Sequence, residues 1–594
     1  MGLFKADGVV YKPAEEVDVG PDSHAIYLQA NVKAPRLAGL LLKICLWFME
    51  LRVLGTFIVY ILKRNNLIYK LVSNAEMVES PLYVPLHSFE VQVAINCLPT
   101  SSETVSSDWQ SSFRHWTITD YCNAYSSGET TPSMVAESII SAIKHSSAGP
   151  SDMKFFIDSN SKDILIHAAE STSRYQRGKP LSALDGVPVA VKDEIDCNPY
   201  LTTGGTKWLH KVRHCKADAC CVNRLRSCGA IVIGKTNMHE LGVGTSGINP
   251  HYGVTRNPYD AGKISGGSSG GSAAVVAAGL CPVALGVDGG GSVRMPAALC
   301  GVVGFKPTFG RIPHSGVLPL NWTVGMVGIL AGTIEDAFIV YAAIINGQLS
   351  SDGRPILQPK VYFPLLKSTN RISGIRLARS AEWFSDCRAD VRICCSNALD
   401  QLCKNYDWQK VEVTVPDIEA MRLAHYVTIA SECTTSLNSY LEKVDRSELG
   451  CDARLAFRVY SSMSAKEYLQ AQKFRNRQMQ IHKEVFKRAD VIVTPTTGIT
   501  AYSIPNDALK TGELDYIKGA ALVRFQIAGN FLGLPAITIP VGYDETGMPI
   551  GLQFIGRPWS EPTLIHLACA MQALRISEYR KPQVYYDILR NDDV

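Results

Sequence analysis

The chain has 594 residues, of which 46% are hydrophobic and 19% charged, so it can bury a large core in one large or two ordinary domains. The formal net charge of +4 is small for this length, and nothing resembles the clustered basic surface of a nucleic-acid-binding protein, so no nucleic-acid partner is predicted. The 17 cysteines are odd in number, contain no C-x-x-C pair and follow no cleavable signal, which predicts reduced thiols in contact with the cytosol.

The first predicted element is an apolar segment at residues 37–62. It is nearly long enough to cross a bilayer, but Lys43, Glu50 and Arg52 interrupt it, and a spanning helix needs roughly 20 mostly apolar residues. On a helix, its apolar residues recur at alternating spacings of four and three, with Pro35 in the first turn and most charges on the opposite side. The spacing predicts one amphipathic helix, and Arg52, which falls near the apolar stripe, indicates either a break or a snorkelling side chain.

Three interpretations of this segment are open. The helix packs on the body of the protein or on a second subunit, or a helix or helical pair lies in the membrane interface, or, least favoured, the segment spans the bilayer. The first two are compatible, because one apolar helix can face a membrane on one side and a second subunit on another. We therefore divide the chain into an N-terminal apolar helical segment at 1–75, for membrane association or dimerisation, and a catalytic domain at 76–594.

Beyond this segment, short apolar runs rich in β-branched residues alternate with longer amphipathic stretches. Buried strands are predicted at 187–191, 230–233, 491–494 and 536–541. Helices are predicted to start at Thr131-Pro132 and to occupy 386–403 and 465–489. The alternation predicts one large α/β domain.

Lys192 follows the strand predicted at 187–191, so its side chain leaves an apolar sheet close to the end of the sheet. A lysine with the ordinary pKa of about 10.4 cannot act as a base at neutral pH, whereas desolvation favours a neutral amine that can accept a proton from a hydroxyl group. The alternative is a surface lysine that caps the strand and pairs with Asp193, Glu194 or Asp196.

Two glycine-rich turns each carry a serine. The first, GGSSGGS at 266–272, resembles a flexible linker by composition, but the AAVVAAG that follows predicts a closely packed helix. The second, DGGGS at 288–292, can direct several backbone N–H groups at one point, as a developing oxyanion requires. Ser292 would then be a nucleophile that needs an adjacent base, and the alternative is an ordinary tight loop.

Three other stretches match known binding motifs in residue pattern but lack the structural context that those motifs require. The G-x-G-x-x-G at 242–247 neither follows a strand nor opens a helix, and the phosphate-loop pattern at 229–236 has a predicted strand where a flexible loop is needed. His210 and His214 are spaced like two ligands on a helix, but no H-E-x-x-H or cysteine context supports them. Dinucleotide, nucleotide and metal binding are therefore not predicted.

Taken in order, the lysine strand and the two serine turns resemble the amidase signature hydrolases. The GGSSGGS motif is followed by G-G-S-V-R-M-P, in which Ser292 stands 24 residues after Ser268, and GVPVAVK at 186–192 matches the strand that carries the family's lysine. The resemblance covers roughly residues 115–575. It implies an α/β fold with a large mixed central sheet covered by helices on both faces, here with an N-terminal α-helical extension.

The resemblance also implies a mechanism. Ser292 attacks the amide carbonyl and becomes the acyl-enzyme. Ser268, preceded by a cis peptide bond after Gly267, relays the proton to neutral Lys192 and then to the leaving amine. No metal or organic cofactor is implied.

The same resemblance assigns an oxyanion hole and its support. The hole is formed by the backbone amides of Gly289, Gly290, Gly291 and Ser292. Gly289 stands where the family often has threonine or an aliphatic residue, which should loosen the loop without removing the donor. Asp288 and Arg294 are expected to brace the loop as an ion pair.

The apolar segment ahead of the body resembles that of the membrane-associated fatty acid amide hydrolases, those of plants most. This implies hydrolysis of N-acylethanolamines and related fatty acid amides by a homodimer on the cytosolic side of the endoplasmic reticulum membrane or plasma membrane. Alternatives with the same triad are a small-amide amidase such as indole-acetamide hydrolase and the amide-cleaving component of a tRNA-dependent amidotransferase. A non-catalytic membrane adaptor is disfavoured, because Lys192, Ser268 and Ser292 are all intact.

Overall fold

A computed structural model describes residues 8–30, 32–87, 113–148, 152–345, 374–574 and 579–590. Its strands are β1 (Leu37–Ala38), β2 (Phe156–Asp158), β3 (Pro188–Lys192), β4 (Ile231–Thr236), β5 (Arg256–Asn257), β6 (Asp260–Ile264), β7 (Val283–Asp288), β8 (Val303–Lys306), β9 (Met326–Ala331), β10 (Arg376–Arg379), β11 (Gln409–Glu412), β12 (Val491–Pro495), β13 (Glu513–Leu514), β14 (Ala536–Tyr543) and β15 (Pro549–Gly556).

The α-helices are α1 (Gly39–Glu50), α2 (Arg52–Asn65), α3 (Ile118–Ser127), α4 (Pro132–Ser146), α5 (Ser161–Gln176), α6 (Leu209–Val212), α7 (Cys220–Ser227), α8 (Gly270–Ala277), α9 (Arg294–Leu299), α10 (Ile334–Ile345), α11 (Ala381–Ser385), α12 (Ala389–Tyr406), α13 (Ile418–Leu441), α14 (Cys451–Tyr460), α15 (Ala465–Arg488), α16 (Tyr516–Val523), α17 (Ile527–Phe531) and α18 (Glu561–Leu574).

One large mixed sheet organises the body, in the order β11, β10, β12, β15, β14, β8, β9, β7, β3, β4, β2. Strand β3 is parallel to β4 and β7, and β10 is parallel to β11 and β12, whereas the other neighbouring pairs are antiparallel. Helices cover both faces. Every residue of β3, β4 and β7 is therefore buried, which is why these strands read as continuous apolar runs.

The predicted strands and helices are confirmed, with small differences at their ends. Thr131 caps α4 by accepting a hydrogen bond from the N–H of Met134, and a capping box at Ser464 starts α15. The helix predicted at 386–403 begins three residues later, at Ala389, because a short helix, α11, and a turn precede it. The small-residue run after the first serine turn forms α8, as expected.

The N-terminal segment forms two helices rather than one, and of the two alternatives suggested by Arg52 the structure shows the break, because α2 begins at Arg52. Two helices, α1 and α2, meet at a bend of 111°, and the backbone of Leu51 between them is extended. The first helix starts at Gly39 rather than at Pro35, because residues 37–38 pair with β13 as an antiparallel strand. Within the described residues no single helix is long and apolar enough to cross a bilayer, although the bent pair passes that test by length and composition.

The N-terminal segment packs on the body. Leu42, Leu46 and Met49 of α1 are buried in a core that also contains residues of α13 and α14. The buried Lys63 of α2 forms an ion pair with Glu467 at 2.6 Å. One face of each helix is therefore covered by the body of the same chain.

Candidate active site

Lys192 is fully buried at the end of β3, between β4 and β7. Its Nζ atom lies 2.7 Å from Ser268 Oγ, 3.3 Å from the carbonyl oxygen of Val287 and 2.7 Å from Glu194 Oε2. These three acceptors surround the Nζ atom, and the contact with Ser268 Oγ is the one through which the predicted proton relay would pass.

Lys192 is not a surface lysine, so that alternative is wrong. It does, however, pair with Glu194, one of the three carboxylates suggested as its partner. Glu194 is itself almost completely buried beside Lys192. The other two carboxylates have different partners, because Asp193 pairs with Lys235 at 3.0 Å and Asp196 pairs with Arg213 at 2.7 Å. Glu194 is thus the carboxylate that accompanies Lys192 in the core.

The first serine turn is part of the buried core and not an exposed linker. All residues from 266 to 272 are buried, and the peptide bond between Gly267 and Ser268 is cis, as the resemblance implied. The carbonyl of Ser268 accepts a hydrogen bond from the His239 N–H at 3.2 Å. A Cβ atom added at Gly271 would lie 2.5 Å from the Asn237 carbonyl oxygen, so only glycine fits this close approach.

The second turn connects β7 to α9 and lies against the first. The N–H of Ser269 donates to the carbonyl oxygen of Ser292 at 3.2 Å, which brings the two serine turns into contact. Within 288–292, only Gly290 and Ser292 are partly exposed. The fold therefore brings Lys192, Ser268 and Ser292 together near the carboxyl ends of the neighbouring strands β3 and β7, with Ser292 on the accessible side.

The ion pair expected between Asp288 and Arg294 is confirmed, with Arg294 Nε 3.0 Å from Asp288 Oδ2. Arg294 also donates to Asn530 Oδ1 at 2.6 Å, and the Asn530 side-chain amide returns a hydrogen bond to Asp288 Oδ1 at 2.9 Å. Burial alone raises the pKa of Asp288, but the attraction and hydrogen bonds of Arg294, with Lys306 nearby, hold that pKa well below its ordinary range. The loop is thus fixed by a charged network that has no access to water.

The four predicted oxyanion donors are not equivalent. The Gly291 N–H donates to Asp288 Oδ1 at 2.6 Å and is committed to bracing the loop. The N–H groups of Gly289, Gly290 and Ser292 donate no hydrogen bond within the described part of the chain. Gly291 has a φ of +106°, which favours glycine, and a Cβ atom there would overlap the Gln526 side chain. The roles assigned to these donors stay a prediction.

One contact at the site was not predicted from the sequence. His425 of α13 is buried, and its Nε2 atom lies 2.8 Å from the carbonyl oxygen of Gly289. Burial lowers the pKa of this histidine to about 4, against the opposing effect of the bond to Gly289. No local sequence signal distinguishes His425, because the contact joins residues 136 positions apart.

Comparison with known proteins now adds to this geometry. The family model for Amidase matches residues 139–565, which is most of the chain. The chain belongs to the amidase family. The family and the fold predicted from the sequence are confirmed, and the chain is an amidase signature enzyme that hydrolyses amides.

Individual relatives differ in how much of this amidase they cover. A fatty acid amide hydrolase from Arabidopsis thaliana is 44% identical over 98% of this chain and 99% of its own length. A glutamyl-tRNA(Gln) amidotransferase component from Chloroflexus aggregans is 30% identical over 79% of this chain and 98% of its own. The X-ray structure of native peptide amidase from Stenotrophomonas maltophilia matches with a TM-score of 0.66 and 26% identity, covering 79% of this chain and 98% of that one.

The arrangement is suited to acyl transfer without histidine. Ser268 Oγ lies within hydrogen-bond distance of Lys192, so its own O–H remains available for a second acceptor. A hydroxyl with this capacity can pass a proton between an amine and a neighbouring nucleophile, which is the role predicted for Ser268 between Lys192 and Ser292. In the predicted mechanism, negative charge develops on the carbonyl oxygen of a substrate at Ser292, and the glycine amides beside Ser292 are the predicted donors to it.

Proposed function

We propose that this amidase hydrolyses fatty acid amides, in particular N-acylethanolamines, to a free fatty acid and an amine at a membrane surface. The observation that carries the proposal is an apolar surface on α1 and α2, which we call the N-terminal apolar face. Its exposed members are Leu40, Leu41, Ile44, Trp47, Phe48, Leu51, Val53, Leu54, Phe57 and Ile61.

Soluble proteins rarely expose so many large apolar side chains on adjoining elements, and such a surface is typical of a binding site for a membrane or another protein. The exposed cations Lys43, Arg52 and Lys70 lie in the same segment and fit an anionic lipid surface. A helical pair of this kind lies in the plane of the membrane interface with its apolar side among the lipids. A long acyl chain is dissolved in lipid, so docking would bring the enzyme to its substrate.

The plant relative supports the same assignment. Because 98% of 594 residues leaves about 12 unaligned, most of the segment 1–75 has a counterpart in the fatty acid amide hydrolase from Arabidopsis thaliana. The amidotransferase component covers only 79% of this chain. The N-terminal segment is thus a feature in common with the lipid amidase.

We further propose that the enzyme is a homodimer on the cytosolic side of the endoplasmic reticulum membrane or plasma membrane. All 16 cysteines among the described residues are free, which fits a reducing compartment. Fractionation of cells that produce the full-length chain, followed by protease protection, tests the membrane and its side. Light scattering of the purified enzyme tests the dimer.

The substrate is tested by turnover of N-acylethanolamines of increasing acyl length, with indole-acetamide and glutamine compared under the same conditions. We expect kcat/KM to rise with acyl length and to be lost in Ser292→Ala, which removes the predicted nucleophile. Preference for indole-acetamide would support the small-amide amidase, and preference for glutamine the amidotransferase component. If no amide is cleaved and a fluorophosphonate probe labels wild type and Ser292→Ala equally, the proposal is wrong.

A further inference from the structure

The peptide group between Gly289 and Gly290 has no side chain on either flank. Such a peptide group rotates more freely than one between residues with Cβ atoms. An oxyanion donor, in contrast, must be held in one orientation before the substrate arrives. Some other part of the molecule must therefore fix this peptide group.

His425 contacts this peptide group directly. Its Nε2 atom is 2.8 Å from the Gly289 carbonyl oxygen, and because a carbonyl only accepts, Nε2 carries the proton and donates it. The imidazole ring also lies close to the next residue, since a Cβ atom added at Gly290 would be 3.1 Å from His425 Cε1. The ring thus bonds one glycine and packs against the other.

The direction of the Gly290 N–H follows from peptide geometry. The bond between the two glycines is trans, since the cis bonds of the described residues are at Asn198-Pro199 and Gly267-Ser268. In a planar trans peptide the C=O and the N–H point in opposite directions. The Gly290 N–H therefore points away from His425.

We propose that His425 is a positioning residue that fixes the Gly289–Gly290 peptide group and directs the Gly290 N–H at the carbonyl oxygen of a substrate bound at Ser292. The inference rests on the proposed function of Ser292 as the nucleophile. Gly290 and Ser292 are the partly exposed residues of this loop, so the donor and the nucleophile share the accessible side. The hydrogen bond to Gly289 also polarises the peptide group and strengthens its N–H as a donor.

The charge state of His425 fits positioning rather than proton transfer. Burial lowers its pKa to about 4, so the ring is neutral at the pH at which amide hydrolysis is measured. The charged groups around it are Arg475 of α15, Asp288 at the end of β7 and Arg294 at the start of α9. A neutral ring with a fixed donor holds its carbonyl partner without changing charge during turnover.

The experiment compares two substitutions at His425 with a matched control. His425→Gln keeps an N–H donor near the position of Nε2, whereas His425→Leu removes the donor and keeps most of the volume. His482 of α15 is the control, because it is also buried, also bonds a backbone carbonyl, that of Gln478 at 2.9 Å, and also has a pKa lowered to about 4. Each full-length variant is assayed with a soluble short-chain amide and with an aldehyde analogue that forms a tetrahedral adduct on serine.

We expect His425→Leu to lower kcat by about 10- to 100-fold with KM nearly unchanged, since a misdirected oxyanion donor weakens the transition state alone. The affinity of His425→Leu for the aldehyde should fall by the same factor, whereas His425→Gln should retain most of the wild-type kcat. The ratio of kcat in His425→Leu to kcat in wild type should be constant between about pH 5.5 and 9, because this range lies well above the lowered pKa of the histidine. His482→Leu should change stability only. The inference is overturned if His425→Leu loses no more rate than His482→Leu, if the loss lies in KM, or if the ratio varies with pH. An inactive wild type would instead refute the proposed function.

Discussion

Replacing four exposed side chains of the N-terminal apolar face by serine should abolish membrane binding and leave the fold intact. We choose Leu40, Trp47, Val53 and Phe57, whose exposed fractions are 73%, 59%, 84% and 57%. Full burial of such a side chain contributes about 1.5 to 3 kcal/mol, so burying these exposed fractions contributes at least about 1 kcal/mol each. Four of them give about 4 kcal/mol, which is nearly a thousandfold in the partition coefficient.

The assay is sedimentation of the full-length protein with vesicles of phosphatidylcholine and phosphatidylserine, in a Ser292→Ala background so that no substrate is consumed. The matched control carries serine at four exposed apolar positions of the body. These control positions are Leu165, Ile166, Leu181 and Ile393. The thermal unfolding midpoints of both variants should stay close to that of wild type, because substitutions of exposed residues have small effects on stability.

Two results would refute this reasoning. If the variant with four serines on the N-terminal apolar face, the face variant, has a vesicle partition coefficient within threefold of that of the control, the face does not dock on lipid. If the face variant instead changes from dimer to monomer and keeps its vesicle binding, the face is a subunit interface. In the catalytically active protein, docking also predicts a loss of kcat/KM for a vesicle-bound long-chain amide and no loss for a soluble short-chain amide.

Three further predictions concern the core of the enzyme. Lys192→Ala and Ser292→Ala should each lower kcat at least about a thousandfold, measured with a short-chain amide, and only the second should abolish labelling by a fluorophosphonate. Arg294→Met should lower the free energy of unfolding by about 3 to 5 kcal/mol in denaturant titration, because it leaves the Asp288 carboxylate buried without its partner. Burial lowers the pKa of His482 from 6.5 to about 4, so between those values the unfolded chain binds a proton that the folded chain does not, and stability falls as the pH falls. His482→Leu should reduce that fall by about 3 kcal/mol in total.

Each of these predictions has an outcome that would contradict it. If a fluorophosphonate still labels Ser292→Ala, the nucleophile is a residue other than Ser292. A stability loss below about 1 kcal/mol for Arg294→Met would mean that the buried network tolerates an unpaired carboxylate. Parallel curves of unfolding free energy against pH for wild type and His482→Leu would mean that the pKa of this histidine is the same in the folded and the unfolded chain.

Local sequence patterns were sufficient to predict the strand of Lys192 and the two serine turns. Each of these depends on a run of adjacent residues, in which glycines permit the backbone geometry and an apolar strand buries the lysine. The contact of His425 with Gly289 could not be predicted in this way, because it depends on how α13 packs against the loop. The partner of Lys192 could be narrowed only to three nearby carboxylates, since the direction of each side chain is set by tertiary packing.

The N-terminal bend shows why a regular spacing can mislead. In α1 the buried residues Leu42, Leu46 and Met49 follow the spacing of four and three, but in α2 the buried positions include Gly55 and Val59. A straight helix that buries residue 49 would next bury residue 53 rather than 55, about 200° away around the axis. The chain bends at residue 51 and buries both sets against the body. The apolar stripe predicted from the spacing included Leu41 and Ile44, and both are exposed because α1 buries the neighbouring face that carries Leu42.

The helix that contacts Gly289 also supports the N-terminal segment. His425 lies on α13, and further along the same helix Ala430, Cys433 and Leu437 share a hydrophobic core with α1. Deleting residues 1–75 would open this core and leave Glu467 buried without Lys63, so lost activity in a truncated chain would not measure membrane binding. Substitutions on the exposed face avoid this problem, because they leave the shared core intact. A change on the buried face, such as Leu42→Ala, should in contrast lower kcat even for a soluble amide, since it disturbs the packing of α13 behind Gly289.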